Sequence, residues 1–434
     1  MSGRRSSLLF LALCSTPLSL YAQTAPDLAK ILERLDRLEQ ENRALSEQVS
    51  ALRAQLGMST PPPPSVEERV DIQQHRIEEQ AQTKVEASQK FPIRFAGMAL
   101  FNAFMNSKQS GAVDYPVIAV ASGAAHSQAT VRQTILGLEF TGPQAIWGGK
   151  VSGSFYMDFA APNSWMRIRT ASIDIAWRNR SVIAGVEKPI FNPREPSSLA
   201  QVGTPPLTGA GNLWVWLPQI RFEQEIRLDA STGVLAQVGA VQTREVGAYD
   251  GSAAAEAARP GAEGRVNFHH NLDEERRMEI AVGFHTSTTH AGGKSIPSNL
   301  VAADWFFNPW KRVELSGAFY SGRNLAHLGT GTRQGFEIDP TYVFAVPSTG
   351  GWGQLTLHVL PRLDFHLFTG QVNDGHHEFE WGSIGKNLLF GGNAYFRLAP
   401  NVLVGLEASQ LRTLYVGQGV RINNHYDLAL AYLF

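Results

Sequence analysis

The sequence predicts an all-β fold: a 16-stranded antiparallel transmembrane β-barrel preceded by an N-terminal α-helical coiled coil. Three observations lead to this prediction. The first residues have the layout of an export signal. A stretch of about four heptads follows, with apolar residues repeating every three and four positions. The rest of the chain alternates apolar and polar residues with a period of two and ends on phenylalanine.

The overall composition narrows the class of protein. The chain has 434 residues, of which 43% are hydrophobic and 18% charged, and its formal net charge is −1. This is too apolar for a disordered protein, and the balanced charge gives no reason to expect nucleic-acid binding. No uncharged run forms an apolar stretch of about 20 residues, which excludes a helical-bundle membrane protein. A large soluble enzyme and a membrane β-barrel both remain.

Residues 1–22 are predicted to be a signal peptide. Two arginines precede the apolar run Leu8–Leu13 and small residues follow, so cleavage is expected after Ala22. A lipoprotein anchored through Cys14 is a poorer interpretation, because the residue before that cysteine should be small and is leucine. Removal of the peptide leaves a mature chain without cysteine, and therefore without a disulfide framework.

Residues 23–90 form a charge-rich segment, with 21 charged residues among 68, against 54 among the 344 residues that follow. Residues 23–57 are predicted to be a coiled-coil oligomerisation helix, because an unbroken heptad pattern runs through them. The asparagine at one core position costs stability but fixes register and oligomer state. A lone amphipathic helix packed on the protein is the alternative. The oligomerisation residues are Leu28, Ile31, Leu35, Leu38, Asn42, Leu45, Val49, Leu52 and Leu56.

Residues 58–90 are predicted to be a Pro-rich linker and a second polar helix. Pro61–Pro64 make a stiff extended spacer, and Ser65 with Glu68 has the spacing of a capping box that opens a helix. The barrel is expected to occupy residues 91–434.

Sixteen strands are expected in this long region. Along residues 220–228, for example, apolar residues alternate with charged ones, so that one strand face is apolar and the other charged. Every even-numbered connection is predicted to be short and all the long ones are odd-numbered, with the ninth and fifteenth of medium length. This sorting is typical of a transmembrane barrel with a periplasmic N-terminus, whose turns are periplasmic and whose long loops are extracellular. A soluble β-sandwich has no reason to sort its connections in this way.

The chain closes on a strand that carries Tyr432 and Phe434, which resembles the C-terminal signal that outer-membrane barrels present to their insertion machinery. A signal peptide, a coiled coil and a sixteen-stranded barrel ending on phenylalanine together resemble the DcaP-like outer-membrane porins. The resemblance covers the architecture of the whole chain and is not a fingerprint of specific residues.

This resemblance implies a trimeric porin in the outer membrane of a Gram-negative-type bacterium, with the coiled coil in the periplasm. The implied function is a water-filled channel for passive diffusion of small hydrophilic, often anionic solutes such as carboxylates. The expected partners are further copies of the chain, outer-membrane lipids, the barrel-insertion machinery and peptidoglycan. The alternative is a structural tether, in which the coiled coil links the outer membrane to the cell wall and the barrel is its anchor.

Charges that face the lumen are expected to select the solute, since a guanidinium group suits carboxylate or phosphate. Pairing of these arginines with neighbouring acids is the alternative. The fifth connection, 190–217, is predicted to fold inward and narrow the lumen, although an ordinary surface loop would fit its composition as well. Arg167 and Arg169 share a strand face with apolar Ile173, which points to the headgroup zone or a subunit contact. The pore-lining candidates are Arg94, Arg194, Arg221, Glu223, Glu225, Arg227, Arg265, Arg312, Arg362 and Arg397.

The sequence gives little support to an enzyme, and neither a catalytic site, a cofactor nor a metal is expected. His285 and Ser287 share a strand face, and a barrel lipase would need such a pair on its lipid-facing wall. Strand alternation produces that coincidence by itself. The histidines show no spacing at which metal ligands converge.

Overall fold

The computed structural model describes residues 92–161, 165–246, 254–338, 342–375 and 381–434, together with helical positions 37, 40, 41, 43–45, 47, 48 and 51. The chain forms two compact units, Met1–Ser88 and Gln89–Phe434. In the first unit, Arg37 and Glu41 form an ion pair of 3.3 Å along the helix, and the Leu45 side chain is 58% exposed. The signal peptide, the linker and the other oligomerisation residues lie outside the described residues, so the coiled coil stays a prediction. No helix of the described residues is long and apolar enough to cross a membrane.

Sixteen strands make up the second unit, two of them interrupted. They are β1 Ile93–Asn106, β2 His126–Thr130 and Ile135–Gln144, β3 Lys150–Asp158, β4 Arg167–Ala176, β5 Arg180–Glu187, β6 Leu217–Arg227, β7 Thr232–Val241, β8 Ala255–Ala257 and Gly261–Asn271, β9 Arg277–Ala291, β10 Lys294–Trp310, β11 Val313–Arg323, β12 Pro347–Leu360, β13 Leu363–Asp374, β14 Ile384–Ala399, β15 Val402–Tyr415 and β16 Gly419–Leu433. A separate hairpin pairs Phe336–Ile338 with Val343–Ala345, and two short 3₁₀ turns cover Ile146–Gly148 and Ala326–Leu328.

The strands close into an antiparallel barrel. Each strand pairs with its successor, and β16 returns to β1 with Ala431 opposite Leu100. The terminal Phe434 extends this seam, because its backbone exchanges hydrogen bonds of 3.0 and 3.1 Å with Gly97. The prediction of a sixteen-stranded antiparallel barrel is therefore confirmed.

The connections are sorted by length, as the sequence predicted. The even-numbered ones are tight turns at the end of the barrel that also holds Ile93 and Phe434, which we call the turn end. The opposite, loop end carries three long loops: L1 (107–125), L2 (188–216) and L3 (324–346). The medium length predicted for two connections at this end was wrong. The ninth connection is only Gly292 and Gly293, which both have positive φ and so permit a tight hairpin, and the fifteenth is 416–418.

The two faces of the barrel wall differ in polarity. On β6, for example, Ile220 is 62% exposed on the outside, whereas Arg221 and Glu223 point inward. Large exposed apolar side chains recur on the outer face of nearly every strand. An apolar outside around a polar inside is the arrangement that a barrel immersed in hydrocarbon requires.

Candidate pore constriction

Loop L2 crosses the inside of the barrel. It joins β5 and β6, which are hydrogen-bonded neighbours with Glu187 opposite Leu217, so its length is not needed to connect them. Its apolar residues enter three separate buried clusters. Leu199 packs with Met98 and Leu100 of β1, Leu207 lies in the cluster of Trp352, and Phe191 lies in that of Tyr320. These clusters lie on different sectors of the wall, so the loop spans the lumen.

Polar contacts fix L2 on the wall far from its own strands. Ser198 donates a hydrogen bond of 2.6 Å to Glu407 of β15. Asn387 of β14 donates one of 2.6 Å to the carbonyl of Gly209. Gln133, between the two segments of β2, donates one of 2.6 Å to the carbonyl of Ala200. The inward course predicted for 190–217 is therefore confirmed.

Loops L1 and L3 pack beside L2 at the loop end. The backbone N–H of Ala119 in L1 donates to the Thr413 hydroxyl of β15 at 2.8 Å. Leu325 and Leu328 of L3 are buried in the same cluster as Leu213 of L2. The lumen at the loop end is thus occupied by three loops, and L2 is the one that lies across its middle.

A buried ion cluster holds the first half of L2. Asp304 of β10 accepts two hydrogen bonds from Arg265 of β8, at 2.7 and 2.8 Å, and one of 2.7 Å from Arg194 of L2. Arg194 also donates to Glu279 of β9, which lies 2.9 Å from Arg277. Three guanidinium groups therefore share two carboxylates.

Beside this cluster is a cavity of about 300 Å³ between L2 and strands β6 to β9. Arg221 lies on one side of it, 2.8 Å from Glu223, which also accepts a hydrogen bond of 2.7 Å from Gln237. The charged residues that line the cavity are five basic and one acidic: Lys188, Arg194, Arg221, Arg265, Arg277 and Glu279. Three of the sequence-predicted candidates, Arg194, Arg221 and Arg265, meet here.

Other predicted candidates lie away from the cavity. Arg94 pairs with Glu139 at the turn end, and Glu225 pairs with His269 at 2.8 Å. Arg227 and Arg397 are exposed at the turn ends of β6 and β14. The expectation that Arg312 and Arg362 project inward from strands was wrong: both lie in the two-residue turns that precede β11 and β13.

The position expected for Arg167 and Arg169 was also wrong. A register shift between β3 and β4 places one extra residue in β4, which reverses the strand face at this point. Both guanidinium groups turn inward and bind Asp158 at 2.8 and 2.7 Å. They also donate to the carbonyl groups of Gly203 and Val202, so they anchor the second half of L2.

Lys188, Arg277 and Asp304 also belong to the site and were not among the residues predicted from the sequence. Asp304 had a usable signal, because it is the single charged residue in the run Leu300–Phe307. A lone carboxylate among apolar residues on a strand needs a cationic partner. Lys188 and Arg277 had no such signal, since each stands at a strand end next to other charges.

His285 and Ser287 do share a strand face, but it is the inner one. Ser287 lies 2.9 Å from Nε2 of His285, whose Nδ1 lies 2.9 Å from Glu263. Glu263 also accepts the backbone N–H of Ile190 at 2.7 Å, and Phe191 covers the histidine ring. This chain of hydrogen bonds anchors L2. A barrel lipase would require the pair on the outer wall, and here it lies on the inner one. Among the described residues, no group of three His, Cys, Asp or Glu side chains is placed to hold a metal.

His327 of L3 is a buried histidine, and we expect its protonation to weaken the folded state. Burial, together with the neighbouring His285, lowers the pKa of His327 to about 3, and Glu245 lies 3.4 Å from its Nδ1. In the unfolded chain the ring is exposed and its pKa is near 6.5. Between that pH and about 3, unfolding therefore takes up a proton. We expect the free energy of unfolding to fall as the pH drops from about 6.5 towards 3. In His327→Gln this dependence should be weaker, measured by urea unfolding in detergent between pH 7 and 4. His290→Gln, at an exposed outer position, is the control; equal pH profiles for both variants would contradict the assignment.

Comparison with known proteins supports the fold. No family model and no curated protein matches the chain. The outer membrane channel DcaP of Acinetobacter baumannii has a similar structure, with a TM-score of 0.67 and 16% identity over 79% of this chain and 97% of that one. OmpT, an outer membrane protein of Vibrio cholerae, gives a TM-score of 0.51 and 8% identity over 79% and 97%. The resemblance to DcaP-like porins is thereby confirmed in the fold of the barrel.

Proposed function

We propose that the chain is an outer-membrane porin, whose water-filled channel passes small hydrophilic, anionic solutes by passive diffusion. The observation that carries this proposal is the cavity beside L2, where five basic residues and one acidic residue line the space between loop and wall. A barrel of sixteen strands leaves a lumen wide enough for water, and an inward loop narrows it.

The charges at the cavity favour an anion. Arg194, Arg265 and Arg277 share two carboxylates, so their positive charge is only partly neutralised. Guanidinium groups with free N–H donors bind carboxylate or phosphate in a fork geometry. Solutes that carry such groups would therefore be concentrated at the constriction.

The outer wall and the seam support the membrane location. Tyr432 and Phe434 lie exposed on the outside at the turn end, with ring centroids 6.3 Å apart. Aromatic side chains are enriched at the edges of the hydrocarbon layer. We propose that the turn end is periplasmic and that these two residues form the signal read by the barrel-insertion machinery.

The strands are short on one side of the barrel, which supports a homo-oligomer. Strand β5 has 8 residues, whereas β10 has 17. A tilted strand of eight residues rises only about 20 Å, less than the apolar band of about 25 Å found in such barrels. We propose that neighbouring copies in a trimer cover this side, and that the heptad residues join them in the periplasm. A tether to peptidoglycan through that helix remains a prediction of the sequence.

We propose no catalytic role for the barrel, because Ser287 is buried and lies 3.5 Å from His327 of L3. In planar bilayers the purified protein is expected to give stepwise conductance and, in a KCl gradient, a reversal potential that shows anion preference. Arg194→Gln, Arg221→Gln and Arg265→Gln should each shift that potential towards cations, because each removes a positive charge from the constriction.

Arg362→Gln is the matched control for this measurement, since its charge lies in a turn at the rim and not beside the cavity. It should leave the reversal potential close to that of the unmodified protein. Absence of any conductance would contradict the channel, and equal shifts in all four variants would contradict the assignment of selectivity to the cavity.

A further inference from the structure

Two basic side chains project outward near the loop end of strands β14 and β15. Lys386 stands opposite Leu414, and Arg412 stands opposite Leu388, so the two cations are diagonal neighbours on one face. Both are exposed. In the part of the chain that the structure describes, neither lies within 4.0 Å of a carboxylate oxygen.

The guanidinium group of Arg412 is held in place by its neighbours. Its Nε donates a hydrogen bond of 2.6 Å to Gln410, and Gln410 donates one of 2.8 Å to Asn424 of β16. The group also lies 5.4 Å from the ring centroid of Phe390. Within the described part of the chain the terminal N–H groups have no hydrogen-bond partner, so the cation is oriented and has donors to offer.

An apolar groove of about 960 Å³ lies on the outer wall, next to Gln410 and Asn424 on the side of the turn end. Phe390 faces Gln410 across the strands, and the next outward pair is Gly392 with Ala408. Small residues at Gly392, Ala394 and Ala408 form the floor. Larger side chains stand around it: Phe365, Leu367, Leu406, Tyr426 and Leu428.

We propose that this face binds one phosphorylated lipid of the outer leaflet, with its phosphate at Lys386 and Arg412 and one acyl chain in the groove. The inference rests on the proposed function, in which this wall faces lipid and the loop end is extracellular. Arg412 and Ala408 are four residues apart on one strand, about 13 Å, so a headgroup and its chain can bind together. Cations that have no carboxylate partner among the described residues, beside an apolar surface, suit an anionic lipid headgroup.

The test uses the purified full-length protein in detergent, stripped of lipid, and native mass spectrometry with added lipid A. The same lipid with its phosphates removed is the second probe. We expect a retained adduct with the phosphorylated lipid, and at least tenfold less with the dephosphorylated one. Lys386→Gln combined with Arg412→Gln should abolish this preference. Arg323→Gln, an exposed outward residue at the same end of β11, should preserve it.

A groove-filling variant separates a lipid from other occupants. Ala408→Trp should reduce adducts of both lipids, whereas Ala240→Trp on the outer face of β7 should not. Equal retention of the two lipids would overturn the proposal. So would unchanged adducts in Ala408→Trp together with a loss of oligomer, because the groove would then hold a second copy of the chain. Conductance is recorded on the same samples, so a protein that conducts normally but fails these tests refutes the lipid site and not the porin.

Discussion

Replacement of residues 190–214 by an Asn-Gly turn is expected to raise the single-channel conductance severalfold. Loop L2 fills the middle of the lumen and supports L3 through Leu213, so its removal opens the path and releases the neighbouring loop. The barrel should still close, because Glu187 and Leu217 are already paired and need only a short connection. Planar-bilayer recording of the variant in KCl measures the effect.

The control for this deletion is a change at the same end of the barrel that does not reach the lumen. Insertion of Ser-Gly between Gly292 and Gly293 lengthens an exposed hairpin, and a side chain added at Gly293 would meet no atom within 4 Å. Its conductance should match that of the unmodified protein. If the deletion variant folds, shown by its heat-dependent shift in gel mobility, and conducts like the control, L2 does not limit the current.

Much of the barrel can be predicted from sequence, because alternation reports directly which side of a strand is buried. The error at the ninth connection has a physical reason. Residues 287–298 are mostly polar, and Ala291 and Ile296, which pack in a small buried cluster with Phe336, do not give either strand a continuous apolar face. Without an apolar face the period-two signal disappears, although β9 and β10 continue to Ala291 and from Lys294.

The constriction was only partly predictable. Alternation indicates which arginines face the lumen, but it does not give their position along the barrel axis. Arg227 and Arg397 therefore look like Arg221 and Arg265 in the sequence. The path of L2 depends on wall residues that are distant in the chain, such as Asn387 and Glu407. A single extra residue in β4 was enough to reverse the face of Arg167.

Asp304→Asn is expected to destabilise the protein more than other conservative changes in the lumen. The carboxylate is 2% exposed and neutralises Arg194 and Arg265, of which Arg265 is 4% exposed. Removal of one partner leaves buried cations without sufficient counter-charge, which costs about 3–5 kcal/mol in comparable pairs. The free energy of unfolding in urea, measured in detergent, should fall by that amount. The anion preference should rise, because a negative charge has left the constriction.

Asp374→Asn is the matched control, since that carboxylate is also buried, at 1% exposure, but accepts its hydrogen bond from Gln334 and not from an arginine. Its cost should be about 1 kcal/mol. A double variant decides whether the charge itself matters. When Arg194→Gln is added to Asp304→Asn, part of the loss should be recovered, because one of the two cations that lost the Asp304 counter-charge is gone. If the two changes are simply additive, Asp304 does not hold L2 through Arg194, and the loop must be kept in place by its apolar contacts and its other hydrogen bonds.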